Sequence, residues 1–308
     1  MPAQLQTRSS GATTALGYGA CALAGTLWGT GFYFGKIALT AMSVGHMVFY
    51  RFLFAMLGLL PMMRRPGLNG KEWGILLLAS FLGIPVQFLL QFYGLSLTTV
   101  SHAALMVGTM PVILAIGATI FTHERLDWKG WMALAGSTVG VGLITLSGAH
   151  GHTADGPSLA GDMLVVLSLI IALGWILLNR HLMHGHSALV VTAYGILSGL
   201  VMLAFWVLPM DGAPPVHGIS GRVWCALVAS GLLCTAATTF LWNWGIHHVP
   251  ASRAGVFLNI EPALGSILGV ELLGDRLGPS AWVGGGLIIA AAIVLTTTGR
   301  TEAEVVLE

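Results

Sequence analysis

Polar side chains recur at helical spacing inside apolar stretches of this sequence, where they could bind a small molecule. Gln87 and Gln91 are four residues apart and therefore share one face of a helix. His102, Met106 and Thr109 form a second stripe of the same kind. Polar groups inside apolar segments are costly, so they indicate a functional site by default. We therefore expect these two stripes to line a substrate-binding site, although His102 could instead hydrogen-bond a neighbouring helix.

Aromatic, amide and hydroxyl side chains in four other apolar stretches complete this predicted site. They are Trp28, Trp175, Asn179, Thr238, Trp242, Asn243 and Phe257. Rings cover an apolar ligand body, whereas amides hydrogen-bond a carboxylate or an amine. The combination favours a neutral amino acid with an aromatic or large apolar side chain. For Trp28 and Trp175, packing between helices is the alternative interpretation.

Other residues suggest how such a site could change during function. Glu261 precedes Pro262 in an apolar stretch, where desolvation disfavours the charged form of a carboxylate. Reversible protonation would make Glu261 a proton-coupling residue; the alternative is that it holds a kinked helix through a freed backbone amide. Pro111 and Pro262 each remove a backbone donor and predict kinks, which either gate the site or merely bend the helices. Arg51 is expected to have a structural partner or to reach toward an interface.

The elements that must position these side chains are membrane-spanning helices. The 308 residues are 56% hydrophobic and only 8% charged, with a mean hydropathy of +0.84, whereas about a quarter of residues are charged in a soluble domain. About ten apolar runs reach the roughly 20 residues needed to cross a bilayer. They lie near 16–37, 44–63, 73–94, 99–121, 128–147, 162–181, 187–209, 222–245, 251–273 and 280–298. The predicted fold class is an all-α integral membrane protein.

The second half of the chain repeats the first in a weak but constant register. Identical residues lie 151 positions apart at Trp73 and Trp224, Gly94 and Gly245, Ser101 and Ser252, Pro111 and Pro262, Arg125 and Arg276, Leu126 and Leu277, and Trp131 and Trp282. Each copy holds five runs, and an odd number gives the two copies opposite orientations. Such inverted repeats are typical of alternating-access transporters, whose substrate site lies between the copies.

The repeat also divides the chain. We predict an N-terminal tail at 1–15, a first repeat at 16–148, a connecting loop at 149–161, a second repeat at 162–298 and a C-terminal tail at 299–308. Cytoplasmic termini would place nine Lys and Arg residues on the inner side and three on the outer side. We therefore expect both tails in the cytoplasm. The first run reaches full spanning length without a cleavage site and is interpreted as a retained helix.

Several short motifs, taken in order, resemble the drug/metabolite transporter superfamily and its EamA-type repeats. They are Arg51-Phe52, Pro111, His123-Glu124-Arg125-Leu126, Glu261-Pro262 and Gly274-Asp275-Arg276-Leu277. The resemblance covers nearly the whole chain. It implies a multi-pass carrier of the bacterial inner membrane, often an exporter of amino acids or related metabolites. The many Trp and Phe residues and the sparse charge are similar, more narrowly, to YddG-type aromatic amino-acid exporters.

Two other function classes fit the sequence less well. Exchange of nucleotide sugars or phosphorylated metabolites would require cations in the cavity. Only Lys36, Arg51 and Arg253 come near the membrane, and all three could be peripheral. An intramembrane enzyme would need a nucleophile with a base, paired carboxylates or a metal. Glu261 has no acidic partner at helical spacing, and Asp162 is placed at a helix end. The chain is therefore predicted not to be an enzyme.

The remaining predictions concern ligands and partners. A nucleotide-binding Gly-x-x-x-x-Gly-Lys-Ser/Thr motif is absent, so the expected transporter is secondary and does not use ATP. The sequence contains no His-Glu-x-x-His and no Cys-x-x-Cys motif, and we predict neither a metal nor a cofactor. The expected partners are a small-molecule substrate and membrane lipid, with no nucleic acid. Ten helices could suffice for a monomer.

Overall fold

The computed structural model describes residues 3–110, 112–113, 116–117, 128–148, 158–183, 185–248 and 255–298. All regular structure within these ranges is helical. The helices are α1 Ala3–Gly29, α2 Gly31–Leu39, α3 Val44–Leu59, α4 Gly70–Phe81, α5 Gln87–Leu97, α6 Val100–Val107, α7 Trp128–Gly148, α8 Leu159–Met183, α9 Ala188–Asp211, α10 Gly221–Gly231, α11 Thr238–His248, α12 Ile260–Leu273 and α13 Pro279–Thr298. Two segments are π-helical, Leu82–Val86 and Leu232–Ala237, and two are 3₁₀-helical, Leu60–Met62 and Gly255–Asn259.

Five continuous helical stretches of the described chain are long and apolar enough to cross a membrane. They are Val44–Met62, Gly70–Leu97, Leu159–Met183, Ala188–Asp211 and Gly221–Gly245. They coincide with the second, third, sixth, seventh and eighth predicted runs. The other runs stay predictions as membrane spans, and Pro279–Ala291 is apolar but shorter. The buried core lies mainly on α2, α3, α5 and α6, with Phe52, Phe92 and Met106 among its largest side chains.

Polar side chains fix where two of these stretches begin. The Asn69 side chain accepts a hydrogen bond from the Glu72 backbone N–H at 3.0 Å, and the Glu72 carboxylate accepts one from the Asn69 N–H at 2.7 Å. The residue 151 positions later, Ser220, accepts from the Val223 N–H at 3.4 Å. Such caps satisfy donors that the first turn leaves free. The predicted third and eighth spans therefore begin at corresponding residues.

The same two stretches each contain a π-helical turn. Leu82–Val86 joins α4 to α5, and Leu232–Ala237 joins α10 to α11, at nearly corresponding positions in the two halves. A π turn interrupts the regular i→i−4 hydrogen bonding of the helix around it. Pro85 lies inside the first of these turns. Both stretches therefore change their helical geometry midway through their length.

Helices from the two halves of the chain pack against each other in reciprocal pairs. Helix α7 packs along α13, α6 along α12, and α3 along α9, while α5 packs on α8 and α1 on α11. In the 151-residue register, α7 corresponds to α13 and α3 to α9, whereas α6 and α12 lie in the fourth and ninth predicted runs, which correspond to each other. The pair of α5 and α8 corresponds to the pair of α11 and α1. The main packing interfaces therefore join one half to the other.

Glycines allow the closest of these approaches. A Cβ atom on Gly94 of α5 would lie 2.8 Å from the carbonyl oxygen of Gly161 of α8, and the reverse distance is also 2.8 Å. A Cβ on Gly284 of α13 would lie 2.5 Å from the carbonyl oxygen of Gly140 of α7. Real Cβ atoms essentially never approach within 3.0 Å. Larger residues would therefore push these helices apart, as expected where small residues permit helix contact in a bilayer.

Two of the packed pairs are antiparallel, as their end contacts demonstrate. The backbone N–H and the hydroxyl of Ser101, in the first turn of α6, donate to Asp275 Oδ2 at 2.8 and 2.9 Å, and Asp275 follows the end of α12. The hydroxyl of Ser43, which caps α3, donates to Asp211 at the end of α9 at 2.5 Å. Helix α6 therefore starts where α12 ends, and α3 starts where α9 ends.

Candidate functional site

Arg51 is buried among four helical segments, with 4% of its surface exposed. Its Nε donates to the Thr235 hydroxyl at 2.8 Å, and its Nη2 donates to the carbonyl oxygen of Cys234 at 3.2 Å. The guanidinium carbon lies 5.1 and 5.2 Å from the ring centres of Phe88 and Phe92 on α5. Of the two interpretations of Arg51, the structural partner is the arrangement observed, in the π turn after α10, and the position at an interface is not.

Glu261 is a second charged residue of this region. It lies half-buried in the first turn of α12, and its backbone carbonyl faces Gly29 at the end of α1. The charges of Glu261 and Arg51 interact, but no ion pair within 4.0 Å joins them in the described structure. Pro262 is also in this first turn, where a missing backbone donor is tolerated. The change of helical geometry occurs just before it, between Gly255–Asn259 and α12.

Three of the aromatic residues predicted for the site meet where α1 passes α11 and α12. The rings of Trp28 and Trp242 are 5.5 Å apart. Phe257 lies 6.0 Å from the ring of Tyr18, and its carbonyl oxygen contacts Gly25. Phe257 precedes Glu261 by one turn. The structure therefore brings Trp28, Trp242 and Phe257 together beside the acidic residue.

The amides predicted on α5 are buried next to α8. Gln87 and Gln91 are each 7% exposed, and the indole of Trp175 packs against Gly83 in the adjoining π turn. Gln87 Oε1 has no hydrogen-bond partner in the described residues. A buried polar atom without a partner costs about 1–3 kcal/mol. A ligand or water that hydrogen-bonds Gln87 would remove this cost. Asn179, which was also predicted for the site, is half-buried one turn beyond Trp175.

Asn259, at the end of the 3₁₀ segment before Glu261, has the same property. Both polar atoms of its side chain are buried and without a partner among the described residues. Its side chain is 8% exposed. Among the described residues, Gln87 Oε1 and Asn259 Oδ1 thus lack a hydrogen-bond donor, and Asn259 Nδ2 lacks an acceptor. The two amides belong to opposite halves of the chain. Native proteins rarely leave such groups unsatisfied, so both mark positions where a polar ligand could bind.

His102 lies in a different cluster, which also contains an acid that the sequence did not place there. His102 Nδ1 is 3.0 Å from Asp162 Oδ2, and the two side chains are 2% and 1% exposed. The Thr98 hydroxyl donates to Asp162 Oδ1 at 2.7 Å, and Lys36 Nζ donates to the carbonyl of Thr98 at 2.8 Å. The alternative interpretation of His102, a bond to a neighbouring helix, is the arrangement observed. Asp162 was missed because a carboxylate in a first helical turn is usually solvated.

The remaining predicted residues are dispersed. Thr109 donates to the carbonyl of Met106 at 2.7 Å within its own segment, and Met106 is fully buried. Thr238 donates to the carbonyl of Thr235, next to Arg51, at 3.1 Å. Asn243 turns toward α9, where its Nδ2 donates to the Thr192 hydroxyl at 3.0 Å. There it lines a cavity of about 330 Å³ together with Leu59, Ser187, Ala188, Leu189, Thr192, Phe240 and Trp244. Pro111 lies outside the described residues.

Polar contacts between the two halves close one end of the bundle. Ser101 binds Asp275, His102 binds Asp162, and Ser43 binds Asp211. At the same end, His46 Nε2 lies 3.1 Å from the carbonyl oxygen of Gly212, and the Tyr50 hydroxyl donates to the carbonyl of Pro215 at 2.9 Å. We call this set the polar seam.

Comparisons with known proteins identify relatives of the whole chain. The model of the EamA-like transporter family matches twice, at residues 15–146 and 159–297. The chain is 24% identical over 229 residues to the uncharacterized transporter YetK of Bacillus subtilis, covering 74% of this chain and 69% of that protein. It is 25% identical over 281 residues to an uncharacterized transporter of Archaeoglobus fulgidus, covering 90% and 95%. It is 24% identical over 273 residues to the biotin transporter of Escherichia coli K12, covering 87% and 88%.

A solved crystal structure has the same fold. It superposes with a TM-score of 0.65 at 18% sequence identity, covering 94% of this chain and 99% of that chain. The fold is therefore shared over nearly the full length of both molecules. The two matches of the family model also coincide closely with the two copies predicted from the 151-residue register.

Proposed function

Because this chain belongs to the EamA-like transporter family and is a membrane transporter, we propose that it is a secondary carrier for neutral amino acids with large apolar or aromatic side chains. It would work by alternating access around the buried region that contains Arg51, Glu261, Gln87 and Asn259. In this proposal the two family repeats are inverted relative to each other. Each repeat would supply five of ten membrane spans.

The observation that carries the alternating-access proposal is the polar seam. It joins the start of α6 to the end of α12 through Ser101 and Asp275, and the start of α3 to the end of α9 through Ser43 and Asp211. The two helices of each pair lie in predicted runs that correspond in the 151-residue register, and they run in opposite directions. Antiparallel equivalents are what an inverted repeat requires. The contacts of the polar seam support a conformation of the carrier in which the cavity is closed at that end.

The substrate class is supported by the chemistry of the buried region. Aromatic rings at Trp28, Trp242 and Phe257 lie where α1 passes α11 and the segment that precedes Glu261. Gln87 and Asn259 offer hydrogen-bonding atoms without protein partners. Apolar surface with a few convergent polar groups is typical of small-molecule sites. We propose Trp28, Gln87, Gln91, Trp175, Trp242 and Phe257 as substrate-contacting residues, with Glu261 as the candidate for proton coupling.

A second candidate substrate is biotin or a similar ring-bearing carboxylate. The chain is 24% identical to the biotin transporters of Escherichia coli and 23% identical to that of Salmonella typhimurium. Such a ligand would also present an apolar body and a carboxylate to rings and amides. The narrower resemblance to YddG-type exporters stays a prediction, as do export, the monomeric state, the bacterial inner membrane and the cytoplasmic termini.

Counterflow in proteoliposomes tests the proposed function. Purified protein is reconstituted with unlabelled phenylalanine inside, and uptake of radiolabelled phenylalanine, tryptophan, biotin or a nucleotide sugar is measured. We expect preloaded phenylalanine to stimulate uptake of the aromatic amino acids. Stimulation only by biotin would support the second candidate, and stimulation only by the nucleotide sugar would replace the amino-acid proposal with a phosphorylated-metabolite exchanger. Conversion of a substrate without exchange would support an enzyme.

A further inference from the structure

The guanidinium of Arg51 carries a buried charge without a nearby counter-ion. Arginine stays protonated in proteins, and an isolated charge is costly to bury unless it is paired. Among the described residues its contacts are neutral: one hydroxyl, one carbonyl and two aromatic rings. Two of its five N–H groups are used by these acceptors. The remaining donors could bind an anion.

The free side of the guanidinium faces the break between α1 and α2. Thr30 separates the two helices, and α2 begins at Gly31. A Cβ atom on Gly31 would lie 3.6 Å from Nη1 and 3.7 Å from Nη2 of Arg51. A longer side chain at this position would therefore cover Nη1. The absence of a side chain at Gly31 leaves room for an anion to approach the guanidinium.

Glu261 places an opposite charge in the same region. A Cβ atom on Gly29, two residues before Gly31, would lie 3.2 Å from the backbone carbonyl oxygen of Glu261. Arg51 and Glu261 thus approach the same break between α1 and α2, and no ion pair within 4.0 Å joins them in the described residues. Two opposite charges that do not pair with each other match a ligand that carries both charges. The aromatic faces of Phe88 and Phe92 lie on the guanidinium.

We propose that Arg51 binds the α-carboxylate of the substrate and Glu261 binds its α-ammonium group, so that the site selects zwitterions. This inference rests on the proposed amino-acid transport and specifies which atoms are recognised. A biotin-like ligand has a carboxylate but no ammonium group, and Glu261 would be left without its partner. A phosphate dianion would place two negative charges near Glu261. Neither ligand satisfies both charged residues.

Single-charge analogues of phenylalanine test the proposal on the unaltered protein. Phenylalaninamide lacks the carboxylate, and 3-phenylpropionate lacks the ammonium group. Their inhibition of phenylalanine counterflow and their effect on thermal unfolding of the full chain in detergent are both measured. A hydrogen bond to a charged group corresponds to about 10- to 150-fold in affinity. We expect each analogue to bind at least about 10-fold more weakly than phenylalanine.

Two substitutions assign the two contacts. Arg51→Gln should abolish the preference for phenylalanine over phenylalaninamide, and Glu261→Gln should abolish the preference over 3-phenylpropionate. If Arg51 or Glu261 had a merely structural role, its substitution would weaken the binding of all three ligands by the same factor. Arg222→Gln and Glu271→Gln, at exposed positions, are the matched controls and should retain both preferences. If Arg51→Gln does not fold, Arg51→Lys replaces it. This variant keeps the positive charge and should retain part of the discrimination against phenylalaninamide.

The outcomes separate this inference from the proposed function. Inhibition of phenylalanine counterflow by either analogue as strongly as by unlabelled phenylalanine would leave the carrier intact and overturn the zwitterion site. Thermal stabilisation by phenylalanine, but not by its analogues, in a protein without counterflow would support the site and contradict the carrier. If none of the three ligands stabilises the protein or inhibits uptake, the zwitterion site is also wrong.

Discussion

Asp275 is the residue of the polar seam whose removal gives the clearest prediction. Its Oδ2 accepts hydrogen bonds from both the backbone N–H and the hydroxyl of Ser101, at 2.8 and 2.9 Å. A hydrogen bond to a charged group contributes about 1.5–3 kcal/mol. Asp275 is half-buried, so we assign this range to the two bonds together. Asp275→Ala should therefore raise the population open at this end about 10- to 150-fold relative to the closed population.

The opening can be followed by cysteine labelling. Val100, at the start of α6, is fully buried beside this contact. Cysteine is smaller than valine, so Val100→Cys should fit without strain, and Cys225, the exposed native cysteine, is first replaced by serine. A water-soluble maleimide should then label position 100 of the Asp275→Ala variant about 10- to 150-fold faster. Glu271→Ala removes an exposed carboxylate from the same helix and is the control. Equal rates in Asp275→Ala and Glu271→Ala would falsify the assignment of the seam as a gate.

The sequence repeat predicts the opposite effect at a corresponding acid. The step of 151 residues relates Asp275 to Glu124 and Ser101 to Ser252; Glu124 and Ser252 lie outside the described residues. If the two copies are inverted, Glu124→Ala should favour the state that is closed at the polar seam. Labelling of Val100→Cys should then become slower than in the parent protein. Faster labelling would contradict the inverted arrangement.

Three further predictions concern packing, coupling and binding. Gly284→Ala should lower the free energy of unfolding by about 1–3 kcal/mol because its Cβ would meet the α7 backbone, whereas Gly286→Ala, in open space on the same helix, should not; equal unfolding midpoints would contradict this. If Glu261 couples protons, Glu261→Gln should flatten the pH profile of phenylalanine uptake while exchange persists, and an unchanged profile would remove the proton role. Trp175→Ala should lower counterflow about 10-fold because the indole packs against the π turn preceding the α5 amides; normal counterflow would show that Trp175 does not shape the site.

Much of the fold follows from periodic hydrophobicity and from the repeat. Five predicted runs coincide with membrane-length helices, and the two family matches coincide with the two copies. Trp28, Trp242 and Phe257 were grouped as candidates from three separate runs, and the structure brings them together. Such residues are recognisable because large rings in apolar helices have few other places to pack.

The arrangement of charges was not predictable in the same way. The sequence left two positions open for Arg51, a structural partner or an interface, since an arginine in an apolar run can also reach toward a headgroup. Its burial depends on how α3 is rotated toward α5 and on the carbonyl that the π turn presents. Asp162 was placed at a helix end, and only the packing of α5 and α6 against α8 encloses it with His102. These features depend on tertiary contacts rather than on local spacing.

The π turn at Leu82–Val86 sets the angular phase between the two parts of its membrane stretch. A wide turn accommodates an extra residue, and each residue of an α-helix advances the direction of its side chain by about 100°. Deleting one residue there would swing Gln87, Phe88 and Gln91 by roughly this angle relative to Trp73. The amides and the ring beneath the guanidinium would then point toward lipid while the anchoring half stayed in place. The one extra residue in the π turn therefore determines that Gln87, Phe88 and Gln91 point to the interior of the bundle.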